Sequence, residues 1–207
     1  GAGLVAGGAL GRRAEESGDA WRIAAQHARS DGFRRNTYLG RDDTNERDET
    51  TLRGKLRLGL VDDWTAAVST MYVSLDNGFD AFSPDNRLRT LTDQPGRDAQ
   101  RSVGASLKLD GNLGRATLVS TTSYADSDIV YSFDGDWGNE PYWGIYAPYQ
   151  YFSLYDRQRG TLGQDLRITS TATAHGEGIG WLAGAYALRM DEDNLQRDYF
   201  VKSLVNP

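Results

Sequence analysis

The sequence predicts an all-β, antiparallel protein, and two observations lead to that prediction. Residues 51–60, 102–109 and 162–169 each alternate apolar with polar side chains, so one face of each predicted strand is apolar. Turns rich in Gly, Asp and Asn follow these segments, and a further strand candidate follows each turn. No stretch combines the 3.6-residue apolar period with the capping signals of a helix. The charged side chains on the polar faces of the first and third segments are Arg53, Lys55, Arg57, Asp165 and Arg167.

The lengths of the connections alternate strictly along about eight predicted strands, which form four hairpins. The turns within hairpins are short and lie near 15–19, 61–63, 110–114 and 174–178. The connections between hairpins are long and lie near 31–50, 78–97 and 134–157. In an up-and-down sheet, this alternation gathers the short turns at one end and the long loops at the other. Because outer-membrane barrels have that asymmetry, the sequence predicts an antiparallel up-and-down transmembrane β-barrel segment.

The composition excludes several other classes of protein. The 207 residues carry a formal net charge of −6, which argues against a nucleic-acid partner. With no Cys and two His, the chain lacks the means for disulfides, thiolate metal sites and His-rich metal sites. The mean hydropathy is −0.59, and no apolar run reaches the roughly 18 residues of a membrane-spanning helix. Barrel strands are compatible with such a polar average because they alternate.

Aromatic residues recur at two distances from the predicted short turns. Those close to a short turn are Trp21, Trp64 and Trp181, and those further along their strands are Tyr72, Tyr124 and Tyr131. Indole and phenol rings favour the interface between a membrane and water, because one edge is apolar and the other stays hydrated. We therefore expect two aromatic girdles, and alternation allows Trp181 to face either outward or inward. The alternative is that these rings are core residues at strand ends.

The densest candidate for ligand binding is the aromatic segment 137–155, in which eight of 19 positions are aromatic. Its spacing of Gly and Pro favours an outer loop whose rings stack on a ligand. The candidate ligand-binding aromatics are Trp137, Tyr142, Trp143, Tyr146 and Tyr149. In the first long loop, Arg34 and Arg35 are candidates for pairing with an anionic iron chelate. The alternatives are a self-packed aromatic loop and a solvated loop whose charges pair with one another.

No motif predicts catalysis, a cofactor or a resident metal. Asp134, Asp136 and Asn139 resemble the start of a calcium-binding loop, but the sequence lacks the Gly that the EF-hand pattern requires at its sixth position. His27 and His175 are expected to be structural, although alternation places His27 on the apolar face of its strand. The basic and acidic residues on the polar strand faces are expected to line a wet barrel interior.

The topology predicts that the chain is an internal part of a larger barrel. With the short turns on the periplasmic side, both ends of an eight-strand segment emerge on the outer side, whereas bacterial barrels are expected to have both termini in the periplasm. We therefore expect at least one further strand on each side.

The sequence also resembles the early barrel region of TonB-dependent outer-membrane receptors. The similarity lies in RIA at 22–24, DGFRRN at 31–36, LRGKLR at 52–57, FSPDN at 82–86 and DQPGRDAQ at 93–100. The order and spacing of these short motifs over nearly the whole chain carry the resemblance.

This resemblance implies a barrel of about 22 strands in the outer membrane of a Gram-negative bacterium, filled by a plug and driven by the TonB complex. It implies active import of a scarce ligand, with a ferric siderophore favoured and cobalamin or a sugar as other cargoes. Because these residues include no plug, the TonB complex is expected to act through a plug region outside them. The alternatives are a soluble all-β carbohydrate-binding domain and a passive porin-type barrel.

Overall fold

The chain is built almost entirely from long antiparallel strands. The computed structural model describes residues 1–11, 18–61, 63–144, 149–171 and 179–202. The eight long strands are β1 (Ala2–Ala9), β2 (Ala20–Ser30), β4 (Arg47–Gly59), β5 (Thr65–Phe79), β7 (Gly96–Asn112), β8 (Ala116–Asp134), β9 (Tyr149–Ser170) and β10 (Leu182–Lys202). The short elements are β3 (Arg35–Asn36), β6 (Arg89–Thr90) and the helix α1 (Glu140–Trp143).

The eight long strands form one sheet in chain order, β1-β2-β4-β5-β7-β8-β9-β10, and every neighbouring pair is antiparallel. The predicted all-β, antiparallel up-and-down topology is therefore confirmed. In the part of the chain that the structure describes, β1 and β10 do not pair with each other, so the sheet is open. The short strands β3 and β6 pair in parallel and join two of the long loops.

The register divides the sheet into two faces with different chemistry. Residues that pair directly on adjacent strands point to the same face, so Trp21 shares a face with its partner Leu56, and Leu56 with Val68. The pairing continues from Val68 to Leu107 on β7. We call this side of the sheet the tryptophan face and the opposite side the charged face.

The charged face holds all five residues that were predicted to line a wet interior. Arg53, Lys55 and Arg57 alternate with the leucines of β4, and the register carries this face across β5, β7 and β8 to Asp165 and Arg167 on β9. Arg167 donates a hydrogen bond to Asp165 at 2.7 Å. These residues form a common surface, although they lie on strands far apart in the chain.

The tryptophan face holds the five aromatic residues predicted as interface residues. Trp21, Tyr72 and Tyr124 lie on it by direct strand pairing, and Trp64 packs over Gly111, where a side chain would collide with the indole. Trp181 exchanges hydrogen bonds with Ser170, which puts the indole on this same face rather than inward.

The expectation for Tyr131 was wrong about its face. Tyr131 pairs with Asp98 and Tyr155 on the charged face, seven residues and therefore an odd number of steps from Tyr124. It belongs to a different group of aromatic rings, described below.

The short-turn end of the sheet is staggered by two residues from one hairpin to the next across the first three hairpins. Ala20, the first residue of β2, pairs with Arg57, which lies two residues before the end of β4. Thr65, the first residue of β5, pairs with Asp110, which lies two residues before the end of β7. A regular stagger is what tilted strands require if a sheet is to curl into a barrel.

The strand ends differ from several predicted boundaries, because the long strands continue beyond the alternating segments. β7 runs to Asn112, so the turn predicted at 110–114 is confined to 113–115. β9 begins at Tyr149, so the third long connection ends there rather than at 157 and part of the aromatic segment is strand. The predicted turn at 174–178 and most of the one at 15–19 lie outside the described residues. No helix in the described ranges is long and apolar enough to cross a membrane.

Candidate functional site

Eight aromatic side chains meet on the charged face at the end of the sheet that carries the long loops. Strands β5, β8, β9 and β10 and two long loops contribute to this aromatic cluster. Its members are Phe79, Phe82, Tyr131, Phe133, Trp137, Tyr151, Tyr155 and Phe200. Members that are distant in sequence come together because the register places them on one face at one level.

The centre of the aromatic cluster is a triangle of rings from β8 and β9. The ring centroids of Tyr131 and Phe133 are 5.7 Å apart, those of Tyr131 and Tyr155 are 6.1 Å apart, and those of Phe133 and Tyr155 are 6.5 Å apart. At these distances the rings contact one another and form a continuous apolar platform. Burial, together with the negative charge of nearby Asp98, raises the pKa of the Tyr131 phenol.

A cavity of about 420 Å³ lies beside this platform. It is lined by Asp98, Ile129, Tyr131, Phe133, Tyr155 and Arg157. Its size falls within the range of roughly 300–1,000 Å³ that is typical of small-molecule sites, and apolar walls with a few charged groups are their usual lining. The aromatic cluster and this cavity together form the candidate binding site.

Arg157, on the wall of the cavity, belongs to a group of three charged residues. Glu192 of β10 accepts a hydrogen bond from Arg159 Nε at 2.5 Å and lies 3.4 Å from Arg157 Nε. The Nε atom of Arg157 is shielded from solvent and makes no hydrogen bond within the described residues. One carboxylate, Glu192, therefore lies beside two guanidinium groups, and the group keeps one excess positive charge, next to the cavity that Arg157 lines.

The three long loops are joined into one assembly above the sheet. The first loop is 31–46, the second is 80–95 and the third is 135–148, of which 135–144 is described. Between the first and second loops lies a buried polar network whose centre is Asp80. The Asp80 carboxylate accepts hydrogen bonds from Thr90 at 2.6 Å, Thr92 at 2.8 Å and Asn36 Nδ2 at 3.0 Å. Side chains of both loops thus supply hydrogen-bond donors to one buried carboxylate.

The third loop is held to the second by backbone and side-chain hydrogen bonds. Asp93 N donates to Gly138 O at 3.1 Å, and Asn139 Nδ2 donates to Leu91 O at 2.6 Å. Asn139 also begins α1, because its side-chain oxygen accepts a hydrogen bond from Tyr142 N at 2.8 Å. These hydrogen bonds hold the second and third loops together, and the two loops carry Phe82 and Trp137 of the aromatic cluster.

A buried carboxyl group, Asp134, organises the start of the third loop. Its Oδ1 accepts hydrogen bonds from Asp136 N at 3.2 Å and Trp137 N at 3.3 Å. Burial, followed by repulsion from Asp136 and Asp93, raises the pKa of Asp134 to about 7. Within the described ranges no group of three or more His, Asp or Glu side chains is arranged to hold a metal ion.

The predicted ligand-binding aromatics divide into three groups. Trp137 belongs to the aromatic cluster, where it stacks on Phe82 with centroids 5.2 Å apart. Tyr142 and Trp143 contact each other edge to face on α1, at 4.9 Å, and make no ring contact with the cluster within the described residues. Tyr146 lies outside the described residues, and Tyr149 is described only through its backbone, which pairs with β10.

The two arginines that were predicted to bind a ligand, Arg34 and Arg35, make contacts within the long loops. Arg34 donates a hydrogen bond from Nη1 to the carbonyl of Arg87 at 3.0 Å, so it holds the first and second loops together. Arg35 lies 3.2 Å from Asp42 in an exposed ion pair. Neither arginine lines the cavity beside the platform, where Arg157 is the positively charged residue.

Sequence reasoning missed most of the aromatic cluster, including Phe79, Phe82, Phe133 and the role of Tyr155. These residues are spread over more than 70 positions, and a local search for aromatic density selects only one segment. For Tyr155 the signal that was available is parity, because the odd positions of β9 carry the charged residues Arg157, Arg159, Asp165 and Arg167. The odd positions of β8 carry no charge, so only pairing with β9 places Tyr131 and Phe133 on the charged face.

Comparisons of the chain with protein-family models, curated proteins and solved structures found no match.

Proposed function

We propose that the chain forms part of the β-barrel of a TonB-dependent outer-membrane receptor. In this proposal the receptor imports a scarce ligand, and a ferric siderophore is the favoured cargo. One observation carries the membrane assignment: the tryptophan face has a band without charge, while the charged face has many charges at the same level. The charged residues opposite the band are Arg22, Arg53, Lys55, Arg57, Lys108, Asp110, Asp165 and Arg167.

The band has a definite upper edge. On the tryptophan face, the first charged residues beyond it are Arg29, Asp48, Asp76, Arg101, Asp126, Asp156 and Arg189. On β5 the uncharged stretch from Trp64 to Ser74 is 11 residues long, and a tilted strand needs about 9–11 residues to cross a bilayer. His27 lies next to the upper edge, where it hydrogen-bonds to Thr50 at 3.0 Å.

The energetics of lipid contact explain this distribution. An Arg or Lys that faces lipid at the middle of the bilayer costs about 2–4 kcal/mol, whereas a charge facing a wet interior costs little. Polar residues within the band satisfy one another, since Thr122 donates to Gln164 at 2.6 Å and Gln164 donates to Ser120 at 3.0 Å. Apolar residues of the band are uncovered, with Ile23 57% and Leu162 51% exposed. In a membrane, lipid would cover these apolar side chains, whereas in a soluble domain they would be in contact with water.

The position of the aromatic cluster supports a receptor rather than an open pore. The cluster and its cavity lie on the charged face of the sheet, which is the interior side in this proposal, near the long loops and away from the short turns. In the proposed orientation they face the outer medium, where a ligand arrives. In the proposed barrel, rings and hydrogen-bonded loops on the interior side favour a ligand site at this level, whereas a passive porin needs a clear aqueous passage.

The complete gene product tests this proposal directly. We expect it to fractionate with the outer membrane, and we expect a deletion strain to grow poorly under iron limitation and recover with the cloned gene. Loss of TonB should abolish the recovery. These 207 residues contain no Cys, and we expect Tyr142→Cys to be labelled on intact cells by an impermeant maleimide above the level of the unmodified protein. A soluble, monodisperse product would contradict the membrane assignment, and recovery without TonB would favour the porin.

A further inference from the structure

The cavity beside the aromatic platform carries opposite charges at separate places on its wall. Asp98 lies on the charged face of β7, directly opposite Tyr131, and within the described residues its carboxylate has no salt bridge or side-chain hydrogen bond. An unpaired carboxylate beside aromatic rings attracts a protonated amine, which can also lie against the ring faces.

The positive charge of the cavity comes from Arg157. Glu192 compensates only one of the two guanidinium groups beside it, and it makes the hydrogen bond to Arg159 rather than to Arg157. The pair Arg157 and Arg159 with Glu192 therefore has a net charge of +1. An arginine in this situation attracts a carboxylate, which its planar donors can bind in bidentate geometry.

The spacing of these two charges restricts the ligand. Asp98 and Arg157 are separated by two strand spacings across the sheet and by two residues along it, which puts their Cα atoms about 12 Å apart. The rings of Tyr131, on the strand between them, and of Tyr155 line the same cavity. The amine and carboxylate of a free amino acid share one carbon, whereas those of a dipeptide are about 3.5 Å further apart. The separation favours the longer molecule.

We propose that this cavity binds a short zwitterionic peptide, with its amine at Asp98, an aromatic side chain on the Tyr131, Phe133 and Tyr155 platform, and its carboxylate at Arg157. The inference deepens the proposed receptor function by naming the class of ligand that the interior site accepts. It also differs from the expectation for Arg34 and Arg35, because a purely anionic ligand would meet the unpaired carboxylate of Asp98.

Binding of glycyl-tyrosine to the complete, detergent-purified protein tests the proposal by titration calorimetry. Two matched probes are the N-acetylated dipeptide, which lacks the amine, and the dipeptide amide, which lacks the carboxylate. We expect each blocked probe to bind at least about tenfold more weakly than glycyl-tyrosine, because each loses one charge-assisted hydrogen bond. Free tyrosine, with its closer charges, should also bind more weakly.

Substitutions assign each effect to a residue. Asp98→Asn should lower the affinity for glycyl-tyrosine about tenfold and remove the discrimination against the acetylated probe. Arg157→Gln should do the same for the amide probe, and Arg157→Lys, which keeps the charge beside Glu192, should restore part of the affinity. The controls Asp128→Asn and Arg101→Gln lie on the tryptophan face and should bind all probes like the unmodified protein.

Equal binding of all probes, or no binding of glycyl-tyrosine by protein that is present in the outer membrane, would overturn the proposal. The localisation of the same preparation separates this result from a failure of the receptor assignment. A variant that is absent from the outer membrane is replaced by Asp98→Glu or Arg157→Lys, whose retained charge predicts retained probe selectivity.

Discussion

The indole of Trp137 lies flat against the ring of Phe82, with the ring centroids 5.2 Å apart and the planes inclined by 19°. Trp137 belongs to the third long loop and Phe82 to the second, so this contact joins the two loops over the aromatic cluster. Trp137 has a φ of 62°, a left-handed conformation that is uncommon for a residue other than glycine. The hydrogen bond from its N–H to Asp134 holds the backbone in this conformation.

Removal of either ring should loosen the joint between the second and third loops. An aromatic pair contributes about 0.5–1.5 kcal/mol beyond the area it buries, so Phe82→Ala and Trp137→Ala should be less than additive by about that amount. A double-mutant cycle on the thermal unfolding of the loops measures the coupling. Tyr142→Ala is the control, since Tyr142 contacts only Trp143 among the aromatic rings of the described residues. Full additivity of the two substitutions would contradict a direct contact.

The stability of the folded third loop should decrease as the pH rises through neutrality. Asp134 has its pKa raised to about 7 by burial and by repulsion from Asp136 and Asp93. The carboxyl binds its proton more tightly in the folded loop than in the open one. Its contribution to the stability of the folded loop is therefore complete below about pH 4. It declines as the pH rises to about 7 and is constant above that. Hydrogen exchange of residues 135–144, corrected for intrinsic rates, should show more opening at pH 8 than at pH 5.

Asp134→Asn should remove most of this pH dependence, because the amide keeps an oxygen that accepts the N–H groups of Asp136 and Trp137. Asp128→Asn, at an exposed position six residues earlier on the same strand, should keep it. An unchanged pH profile in Asp134→Asn would assign the effect to another group.

The Asp80 network should be the most sensitive point of the first two loops. Asp80→Ala leaves the buried hydroxyls of Thr90 and Thr92 without their acceptor, which costs about 1–3 kcal/mol for each unsatisfied group, while Asn36 Nδ2 keeps its hydrogen bonds to Thr92. Limited proteolysis of the long loops should therefore become markedly faster. Asp42→Ala, which removes only the exposed ion pair with Arg35, should leave the cleavage rate unchanged. Equal cleavage of the two variants would mean that the network does not hold the loops.

Neighbouring positions on β7 should respond in opposite ways to a new charge. Leu107 lies on the tryptophan face and Ser106 on the charged face. If the tryptophan face contacts lipid, Leu107→Arg should cost about 2–4 kcal/mol and reduce the amount of protein assembled in the outer membrane. Ser106→Arg adds the same side chain one residue away and should assemble normally. The measurement is the quantity of protein in washed outer membranes, and tolerance of Leu107→Arg would argue against lipid contact.

Alternation along the chain was sufficient to predict the fold class and the division of the sheet into faces. A strand reverses its side chains at every residue, so the alternation of Leu52, Leu56 and Leu58 with Arg53, Lys55 and Arg57 already separates the faces of β4. Turn residues and connection lengths then determined that the strands pair in order. These are local properties, and they depend little on what lies elsewhere in the chain.

Only the tertiary structure decided which distant residues form the candidate site. The register brings Phe79, Tyr131 and Tyr155 to one level, and a shift of one residue in any strand would send its ring to the other face. The pairing of Asp80 with Asn36, and the assignment of Arg157 rather than Arg34 to the cavity, likewise depend on how the long loops and strands meet. The alternation of residues along the chain determined the chemistry of the two faces of the sheet, and the strand register determined which residues meet at the candidate site.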